Sequence, residues 1–238
     1  MKRPKTIRPS KWNHQIPKEL HSQDFALGVD FGCGTYPRNP FNAKKLVGLD
    51  VFPSSPFLES TELSYLQVNS EGELPFQDRS VDALTAFDVL EHLPRQSAGS
   101  YANPFIETMN EIYRVLKPGG LFLAVTPCYP SAAAFQDPTH VNIITPETHK
   151  YFSEDVWARS LGYGFYGEFV SLSVGWYDYS NSFFNLAKVN QNVNGIGEIS
   201  TNWTNRIISM VRDLLRKSTF GWLRKPSHFM WVLRKPEI

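Results

Sequence analysis

Residues 28–52 read "GVDFGCGTYPRNPFNAKKLVGLDVF". It holds two short apolar runs, with closely spaced glycines after the first and Asp50 near the end of the second. A glycine loop followed about 20 residues later by an acidic residue is typical of nucleotide-binding α/β folds. The loop departs from the dinucleotide pattern, however, because Tyr36, Pro37 and Pro40 stand where a helix would begin.

Those three residues argue against a bound pyrophosphate. A pyrophosphate needs the free N–H groups and the positive end of a helix that starts at the glycine loop. Tyr36 takes the position of the third glycine, and Pro37 and Pro40 remove donors from the next turn. A nucleoside cofactor whose charged part is an amino-acid end tolerates this loop better. A nicotinamide-dependent oxidoreductase is therefore disfavoured, although the glycines and the acidic residue alone do not choose the cofactor.

Between residues 25 and 126 short apolar runs alternate with helical patterns, which predicts parallel strands joined by crossover helices. This is the pattern of a doubly wound α/β fold. Six strands are predicted, at 26–31, 45–51, 81–88, 120–127, 164–179 and 228–235.

The segment 103–120, "NPFIETMNEIYRVLKPGG", has the clearest helix signals. Asn103 is a suitable N-cap and Pro104 suits the first turn. Apolar residues recur on one face, and Lys117 with the following Pro-Gly-Gly turn is expected to end the helix.

Composition indicates one globular domain. The chain has 238 residues, of which 42% are hydrophobic and 20% charged, enough to bury a substantial core. No apolar run approaches the roughly 20 residues that span a bilayer, and a cytoplasmic location is expected. Two cysteines, Cys33 and Cys128, cannot form a metal cluster by themselves and are interpreted as reduced thiols. No metal site is predicted.

The charge is distributed unevenly. Residues 1–24 carry six basic and two acidic side chains, and residues 203–238 carry eight and two, which leaves a net charge of −9 on residues 25–202. An acidic body with basic ends argues against a broad nucleic-acid footprint. We therefore expect no nucleic-acid partner.

Four ordered blocks in the first half of the chain carry a family resemblance. The chain resembles the class I S-adenosylmethionine-dependent methyltransferases, a match that rests on their order and spacing rather than on the glycine loop alone. The resemblance implies a Rossmann-like sheet of about seven strands, mostly parallel with one antiparallel strand and flanked by helices. The blocks are "GVDFGCGT" (28–35), "LVGLD" (46–50), "GELPFQDRSVDALTAFDVLEHLP" (72–94) and "EIYRVLKPGGLFLAVTP" (111–127).

The resemblance also implies roles for individual residues in binding S-adenosylmethionine. Asp50 would bind the ribose. Family members often carry an acidic residue that binds the adenine amine near the position of Ser70. Because Ser70 is not acidic, its assignment is a weaker part of the pattern. The full set of implied cofactor-binding residues is Asp30, Gly32, Cys33, Gly34, Asp50, Val51, Ser70, Asp88, Val89 and Leu90.

The segment 135–153, "FQDPTHVNIITPETHKYFS", follows the last block and is expected to face the methyl acceptor. It resembles a stretch of methyltransferases that modify sugars and polysaccharides, in which an Asp-Pro-x-His segment precedes a Thr-Pro-Glu helix start, here at Pro146. His140 is the candidate general base, because imidazole titrates near neutrality. Asp137 would orient it, and His92 is a rival base. The alternative is that His140 braces the loop.

The chain is expected to divide into a basic extension at 1–24 and one methyltransferase domain at 25–238, with an insertion at about 177–227 that serves as a lid or an interface. Within the insertion, an amphipathic helix predicted at 203–217 packs on its own domain or on a second copy of the chain. Alternatively, residues 203–225 contact a membrane surface or a lipid-linked substrate.

These observations predict an enzyme that moves the methyl group of S-adenosylmethionine to a small-molecule or glycan acceptor, most simply at oxygen. The alternative of a different class is a protein that binds the cofactor without catalysis and serves as a scaffold or subunit.

Overall fold

The computed structural model describes residues 23–34, 37–52, 63–68, 72–96, 103–153, 157–177 and 227–237. The basic extension up to residue 22, the predicted helix at 203–217 and the insertion between 178 and 226 lie outside the described residues, as do Tyr36 and Ser70. Within the described ranges, no helix combines the length and the apolar character needed to cross a membrane.

The described residues form one seven-stranded sheet with the spatial order β3-β2-β1-β4-β5-β7-β6. The first five strands pair in parallel, and β7 pairs in antiparallel fashion with both β5 and β6. The doubly wound sheet with one antiparallel strand is therefore confirmed. The strands are β1 (Leu27–Phe31), β2 (Lys45–Asp50), β3 (Leu63–Gln67), β4 (Val81–Phe87), β5 (Leu116–Pro127), β6 (Val170–Tyr177) and β7 (His228–Arg234).

The strand order reverses between β1 and β4, which are neighbours in space but not in sequence. In an open α/β sheet, the loops at the carboxyl ends of such strands diverge and leave a crevice. Gly32 follows β1 and Asp88 follows β4, so the sequence motifs lie at this crevice.

The edge strand β3 was not among the strands predicted from the sequence. Its five residues, "LSYLQ", bury Leu63 and Tyr65 and leave Ser64, Leu66 and Gln67 exposed. An apolar signal of two buried side chains is too short to separate from a loop. Pairing with β2 across its full length is what makes it a strand.

The predicted helix at 103–120 is confirmed as α1 (Pro104–Val115), but its end is not where it was expected. The Asn103 side chain accepts hydrogen bonds from the N–H groups of Phe105 and Ile106, as its N-cap role requires. The helix stops at Val115 rather than at the Pro-Gly-Gly turn.

The strand β5 accordingly begins four residues before the predicted start at Gly120. Leu116 pairs with Val81 of β4, and the regular register resumes at Leu121 after an irregularity that holds the Pro-Gly-Gly turn. The Lys235 ammonium donates hydrogen bonds to the carbonyl oxygens of Tyr113 and Leu116 at 2.6 and 2.8 Å. It thus binds carbonyls that the helix leaves without intrahelical partners.

The strand predicted at 164–179 is shorter than expected, because its first residues pack against α1. The Asn110 side chain donates to the carbonyl of Gly164 and accepts from the N–H of Tyr166. The backbone groups of this stretch therefore bond to a helix side chain rather than to a strand, and β6 starts only at Val170.

Two short helices and two 3-10 turns complete the described structure. The 3-10 turn Thr148–Tyr151 lies where a short helix was expected from Pro146. The helix α2 (Ala133–Gln136) falls in a stretch interpreted as loop, and α3 (Trp157–Ser160) precedes β6. The remaining 3-10 turn, Leu90–His92, directly follows the Asp88 crevice.

Both faces of the sheet are covered. On the β5 strand, Phe122 and Ala124 pack into the cluster that includes α1, whereas Leu123 and Val125 pack into a cluster on the opposite face. A strand buried on both faces reads as a continuous apolar run, which explains why β5 was recognisable in the sequence. The central strands are thereby held rigid beneath the crevice.

Candidate functional site

The turn after β1 is locked to the neighbouring strand β2. The N–H groups of Gly32 and Cys33 both donate to the carbonyl of Leu49, at 2.8 and 3.1 Å. Gly32 has φ +67°, and a Cβ added there would lie 2.2 Å from a methyl group of Val89. Only glycine therefore fits this turn, for both backbone and packing reasons.

Gly34 and Asp50 join the ends of β1 and β2. The N–H of Gly34 donates to Oδ2 of Asp50 at 2.7 Å, and the N–H of Phe52 donates to Oδ1 at 3.1 Å. Gly34 has φ +58°, and a Cβ added there would have no described atom within 4 Å. The open space above Gly34 therefore lies beside the carboxylate of Asp50, the residue for which the resemblance implies a role in binding the ribose.

Asp30 is fully buried and supports the loop from below. Its Oδ2 accepts a hydrogen bond from the N–H of Arg38 at 2.7 Å, and its Oδ1 accepts one from the Thr85 hydroxyl at 2.6 Å. Burial raises the pKa of Asp30 from 3.8 to about 7, because desolvation disfavours the charged form. Since both oxygens are engaged with the protein, Asp30 shapes the cofactor loop from within.

The proline-containing loop packs on β2 instead of starting a helix. A Cβ added at Gly48 would lie 2.6 Å from Pro37 Cγ and 2.8 Å from Cys33 Sγ, so these side chains press directly on the strand backbone. Cys33 is buried, and burial raises the pKa of its thiol. The buried thiol is therefore a packing group.

The crevice residues after β4 are held by β5 and β7. Asp88 has φ +56°, and its N–H donates to the carbonyl of Val125 at 2.9 Å. Its Oδ1 lies 3.2 Å from Nε2 of His228, the first residue of β7. Leu90 is buried in the core, and Val89 packs against it. His228 was missed by the sequence analysis, because nothing local shows that β7 lies beside β5.

Glu91, His92 and His140 form a side-chain cluster beyond Asp88, and their potential ligand atoms lie within 4.8 Å of one another. The Glu91 side chain is 1% exposed, and its Oε2 accepts a hydrogen bond from the Thr126 hydroxyl at 2.9 Å. Its Oε1 is buried with no hydrogen-bond partner among the described residues. Burial raises the pKa of Glu91 to about 7.

The loop that carries His140 is fastened to the 3-10 turn by its backbone. The N–H groups of Val141 and Asn142 donate to the carbonyl of Glu91 at 2.8 and 3.0 Å. The Asn142 side chain donates to the carbonyls of Leu90 and Leu93 at 3.1 and 2.6 Å. Asn142 therefore positions His140 beside Glu91. An asparagine two residues after a histidine is not a recognisable motif, so Asn142 was not among the residues predicted from the sequence.

The His140 ring is oriented by a carbonyl rather than by the predicted carboxylate. Its Nδ1 lies 3.3 Å from the carbonyl oxygen of Ala134, and its Nε2 lies 4.0 Å from Glu91 Oε1. Asp137 Oδ2 is 3.9 Å from the same Nε2, too far for a hydrogen bond. Asp137 Oδ1 accepts from the N–H and hydroxyl of Thr139, and these bonds lower its pKa.

His92 meets His140 at the same place from the opposite loop. The two rings are 4.7 Å apart in an edge-on arrangement, and Nδ1 of His92 lies 3.0 Å from the Thr139 hydroxyl. The three proposed catalytic residues, His140, Asp137 and His92, are thus brought together.

Val51, one of the predicted cofactor-binding residues, directly follows β2 and is 43% exposed.

The loop after β5, which carries His140, also carries exposed apolar side chains. Tyr129 and Phe135 are each 52% exposed and lie edge-on with ring centroids 6.3 Å apart. Val141 and Ile143, from the His140 loop, are also exposed. The loop after β5 therefore presents flat apolar surface next to polar groups, a combination suited to binding a small organic acceptor.

Comparison with known proteins agrees with this geometry. Residues 29–124 match the family model of a methyltransferase domain. The match runs from β1 into β5, somewhat less than half of the chain, and it includes the glycine turn, Asp50 and Asp88. It ends before the loop that carries His140.

Two curated relatives match similar parts of the chain. A demethylmenaquinone methyltransferase from Symbiobacterium thermophilum is 27% identical over 135 residues, which cover 48% of each chain. A protein of Mycolicibacterium smegmatis named as a probable S-adenosylmethionine-dependent methyltransferase is 34% identical over 89 residues, which cover 36% of this chain and 30% of that protein. The matches span about half of the first relative and less than a third of the second.

A solved S-adenosylmethionine-dependent methyltransferase from Archaeoglobus fulgidus has the same fold. It superposes with a TM-score of 0.50 at 17% identity, over 91% of this chain and 88% of that one. Residues 29–124 therefore match the model of a methyltransferase domain, and the described sheet shares its Rossmann-like fold with this solved structure.

Proposed function

We propose that the chain is an enzyme that transfers the methyl group of S-adenosylmethionine to a hydroxyl group of a small-molecule or glycan acceptor. The observation that carries this proposal is the open space over Gly34, bordered by the Asp50 carboxylate and lying at the crevice between β1 and β4. Ligands of open α/β sheets bind at this position, and the methyltransferase family match covers it.

The cofactor fits the loop chemistry better than a dinucleotide does. In the described part of the loop after Gly34 the backbone is irregular, and Pro37 packs on Gly48. This part of the loop therefore has no helix that could direct its N–H groups at a phosphate. Asp50 provides carboxylate oxygens for ribose hydroxyl groups. We propose Gly32, Cys33 and Gly34 for the methionine part, with Val51 and Ser70 toward the nucleoside and Asp88, Val89 and Leu90 toward the methyl group.

The acceptor is proposed to enter on the histidine side. His140 Nε2 faces the cluster and would accept a hydrogen bond from the acceptor hydroxyl, with His92 and Asp137 beside it. Exposed rings at Tyr129 and Phe135 border this side. Flat rings pack well on the C–H faces of sugars, which favours a glycan or another compact hydroxylated molecule as the acceptor.

In the proposed reaction, a lone pair of the acceptor oxygen attacks the methyl carbon of the sulfonium as the carbon–sulfur bond breaks, and that bond's electron pair stays on sulfur. The hydroxyl proton leaves the new ether oxygen toward His140 Nε2, the nitrogen that is proposed to accept the hydrogen bond of the hydroxyl. The products are the methyl ether and S-adenosylhomocysteine. Such an in-line displacement depends largely on positioning, which the rigid strand ends and the fastened His140 loop supply.

The competing function is a scaffold that binds the cofactor without turnover. The demethylmenaquinone methyltransferase relative matches only about half of this chain, so its name does not supply the acceptor. A further proposal is that residues 203–225 contact a membrane surface or a lipid-linked substrate, and that the insertion at about 177–227 serves as a lid or as an interface with a second copy of the chain. One buried oxygen of Glu91 has no hydrogen-bond partner within the part of the chain that the structure describes. Its place in the proposed acceptor region favours an enzyme, since a scaffold has no use for it.

Calorimetry on the full chain tests the cofactor assignment. S-adenosylhomocysteine is expected to bind far more tightly than NAD, and the reverse order contradicts the proposal. Transfer of a labelled methyl group to a panel of hydroxylated sugars and phenols then tests the acceptor class, with amines of matched size as the comparison. His140→Ala should abolish turnover and keep S-adenosylhomocysteine affinity, whereas full activity would return this histidine to bracing the loop.

A further inference from the structure

We propose that Glu91, His92 and His140 bind a divalent transition-metal cation, and that this cation binds the acceptor hydroxyl. The three side chains come from the 3-10 turn after β4 and from the loop after β5. One nitrogen or oxygen from each lies within 4.8 Å of the others. The cation site itself does not depend on the proposed function, whereas the role of the cation toward the acceptor rests on it.

The first argument is the uncompensated oxygen of Glu91. Its Oε2 is satisfied by Thr126, but Oε1 has no hydrogen-bond partner among the described residues, and the side chain is 1% exposed. A buried carboxylate oxygen without a partner is costly. The nearest described basic atom, His140 Nε2, stands 4.0 Å away, beyond hydrogen-bond range. A cation between them would coordinate both atoms.

The second argument comes from the tautomers that the hydrogen bonds impose. His140 Nδ1 faces the carbonyl oxygen of Ala134, which only accepts, so the ring proton is assigned to Nδ1 and Nε2 keeps its lone pair. The lone pair is therefore on His140 Nε2, the ring nitrogen that lies near Glu91 Oε1. A ligating histidine commonly donates its other ring N–H to a carbonyl or a carboxylate, which fixes the ring for metal binding.

The same reasoning applies to His92. The Thr139 hydroxyl donates to Asp137 at 2.6 Å and therefore meets His92 Nδ1, 3.0 Å away, through an oxygen lone pair. The proton of His92 is thus assigned to Nδ1, and Nε2 keeps its lone pair. Asp137, Thr139 and Ala134 act as the outer partners that hold both rings.

The third argument is that the distances are close to those around one ion. Atoms bound to a single tetrahedral cation at about 2.0–2.2 Å are separated by about 3.3–3.6 Å. Glu91 Oε1 and His140 Nε2 are 4.0 Å apart, and this distance needs to close by about half an ångström. All three ligand atoms lie within 4.8 Å of one another, and His92 can supply the remaining movement because its side chain is exposed.

The ligand types define the class of cation. Two imidazole nitrogens and one carboxylate suit zinc and neighbouring transition metals, whereas magnesium and calcium prefer oxygen ligands only. Three protein ligands leave at least one position open, as in catalytic rather than structural sites. The open position faces the side on which the acceptor is proposed to enter.

Bound at that open position, the acceptor hydroxyl would be fixed in place and acidified by the cation. The proton would pass to Asp137, whose Oδ2 lies 3.9 Å from His140 Nε2. The oxygen would then attack the methyl carbon as the bond to sulfur breaks, with no change in the oxidation state of the cation. In this arrangement His140 is a ligand that places the acceptor, and Asp137 takes its place as the base.

The test is titration of the metal-free full chain with Zn²⁺ by calorimetry, supported by the visible absorption of bound Co²⁺. One cation per chain is expected. Glu91→Gln and His92→Ala should each weaken Zn²⁺ binding at least tenfold and change the Co²⁺ spectrum. The control is Glu147→Gln, which changes an exposed carboxylate paired with Lys150 and should leave both measurements unchanged.

S-adenosylhomocysteine binding, measured on the same samples, shows that each variant is folded and separates the two proposals. Loss of Zn²⁺ binding with retained S-adenosylhomocysteine binding supports the cation site. Absence of stoichiometric Zn²⁺ binding, or equal Zn²⁺ affinity in the parent and both cluster variants, overturns it. Zn²⁺ binding in a chain that fails to bind S-adenosylhomocysteine would uphold the cation site and contradict the proposed function. Because His92 is exposed, its variant remains informative should Glu91→Gln fail to fold.

Discussion

The N–H of Gly34 donates a hydrogen bond to the Asp50 carboxylate at 2.7 Å, and this contact joins the ends of β1 and β2 directly beneath the open part of the crevice. A carboxylate that is already oriented by backbone donors needs little reordering when it accepts hydroxyl groups from a ribose. Preorganisation of this kind lowers the entropic cost of binding.

Asp50→Ala should therefore weaken S-adenosylhomocysteine binding by tenfold or more. Hydrogen bonds to a charged group contribute about 1.5–3 kcal/mol, and the substitution removes both the ribose acceptor and the partner of the Gly34 N–H. Calorimetry at constant ionic strength measures the change. Asp24→Asn is the control, because Asp24 is an exposed carboxylate paired with Lys44. Equal affinity in the Asp50 variant and the parent would show that the ribose lies elsewhere.

Gly32→Ala and Gly34→Ala should separate folding from binding. Both glycines have positive φ, which costs an alanine about 1–2 kcal/mol. At Gly32 the new methyl group also meets Val89 at 2.2 Å, which adds about 1–3 kcal/mol of overpacking. Gly32→Ala is expected to lower the free energy of unfolding more than Gly34→Ala does. Gly34→Ala is expected to lower cofactor affinity with a smaller loss of stability.

Denaturant unfolding and calorimetry on both variants make that comparison. Adding Val89→Ala to Gly32→Ala should restore part of the lost stability, since it removes the methyl groups that clash. A double variant no more stable than Gly32→Ala alone would contradict the assigned contact.

Asp30 should make folding stability fall as the pH rises. Its pKa is about 7 in the folded protein and near 3.8 in the unfolded chain. The folded state therefore keeps a proton that the unfolded state loses. This contribution is fully present below about pH 4 and is lost as the pH rises through 7, with a total of up to about 4 kcal/mol at 1.36 kcal/mol per pKa unit. Unfolding in urea from pH 4 to pH 8 measures it.

Asp30→Asn should remove that component and keep the fold. The asparagine oxygen can accept from the N–H of Arg38, and its amide can donate to the Thr85 hydroxyl, which also lies 3.3 Å from the carbonyl of Val29. Asp30→Ala, in contrast, leaves buried donors without partners and should cost about 1–3 kcal/mol at every pH. Parallel pH profiles for the parent and Asp30→Asn would refute the raised pKa.

Asn142→Ala should loosen the loop that carries His140. The substitution removes two hydrogen bonds to the carbonyls of Leu90 and Leu93, with an expected loss of about 1–3 kcal/mol. Amide hydrogen exchange of Val141 should become faster while S-adenosylhomocysteine affinity stays near that of the parent.

The matched control is Asn39→Ala, because Asn39 makes two hydrogen bonds to the backbone of Ala43 in the cofactor loop. This variant should lose comparable stability and leave Val141 exchange unchanged. If both variants speed Val141 exchange equally, the effect reflects global destabilisation and the positioning role of Asn142 is wrong.

The sequence predicted the parts of the fold whose signals are local. The α1 cap at Asn103 and the buried run of β5 each depend on neighbouring residues, and both are confirmed. The end of α1 and the start of β6 were misplaced because distant partners decide them: Leu116 pairs with Val81, and Asn110 binds the backbone at Gly164.

The candidate site shows the same division. The glycine turn and Asp50 were predicted from their spacing, and Asp137, His92 and His140 were predicted from residue type and from the resemblance. Their arrangement was not predictable, because Glu91 meets His140 only through contacts across 49 positions of sequence. The environment of a buried carboxylate oxygen is a property of the packed structure alone.

The position of β7 has a consequence for the order in which the sheet can be completed during synthesis. β7 lies between β5 and β6 although β6 precedes it by about 50 residues in the chain. In a ribosome-bound chain that ends before residue 228, β5 and β6 therefore each have an unpaired edge, because both pair with β7. β6 can join the sheet only after residues 228–234 have emerged, so the nascent domain must keep those edges from pairing with each other or with another chain until then.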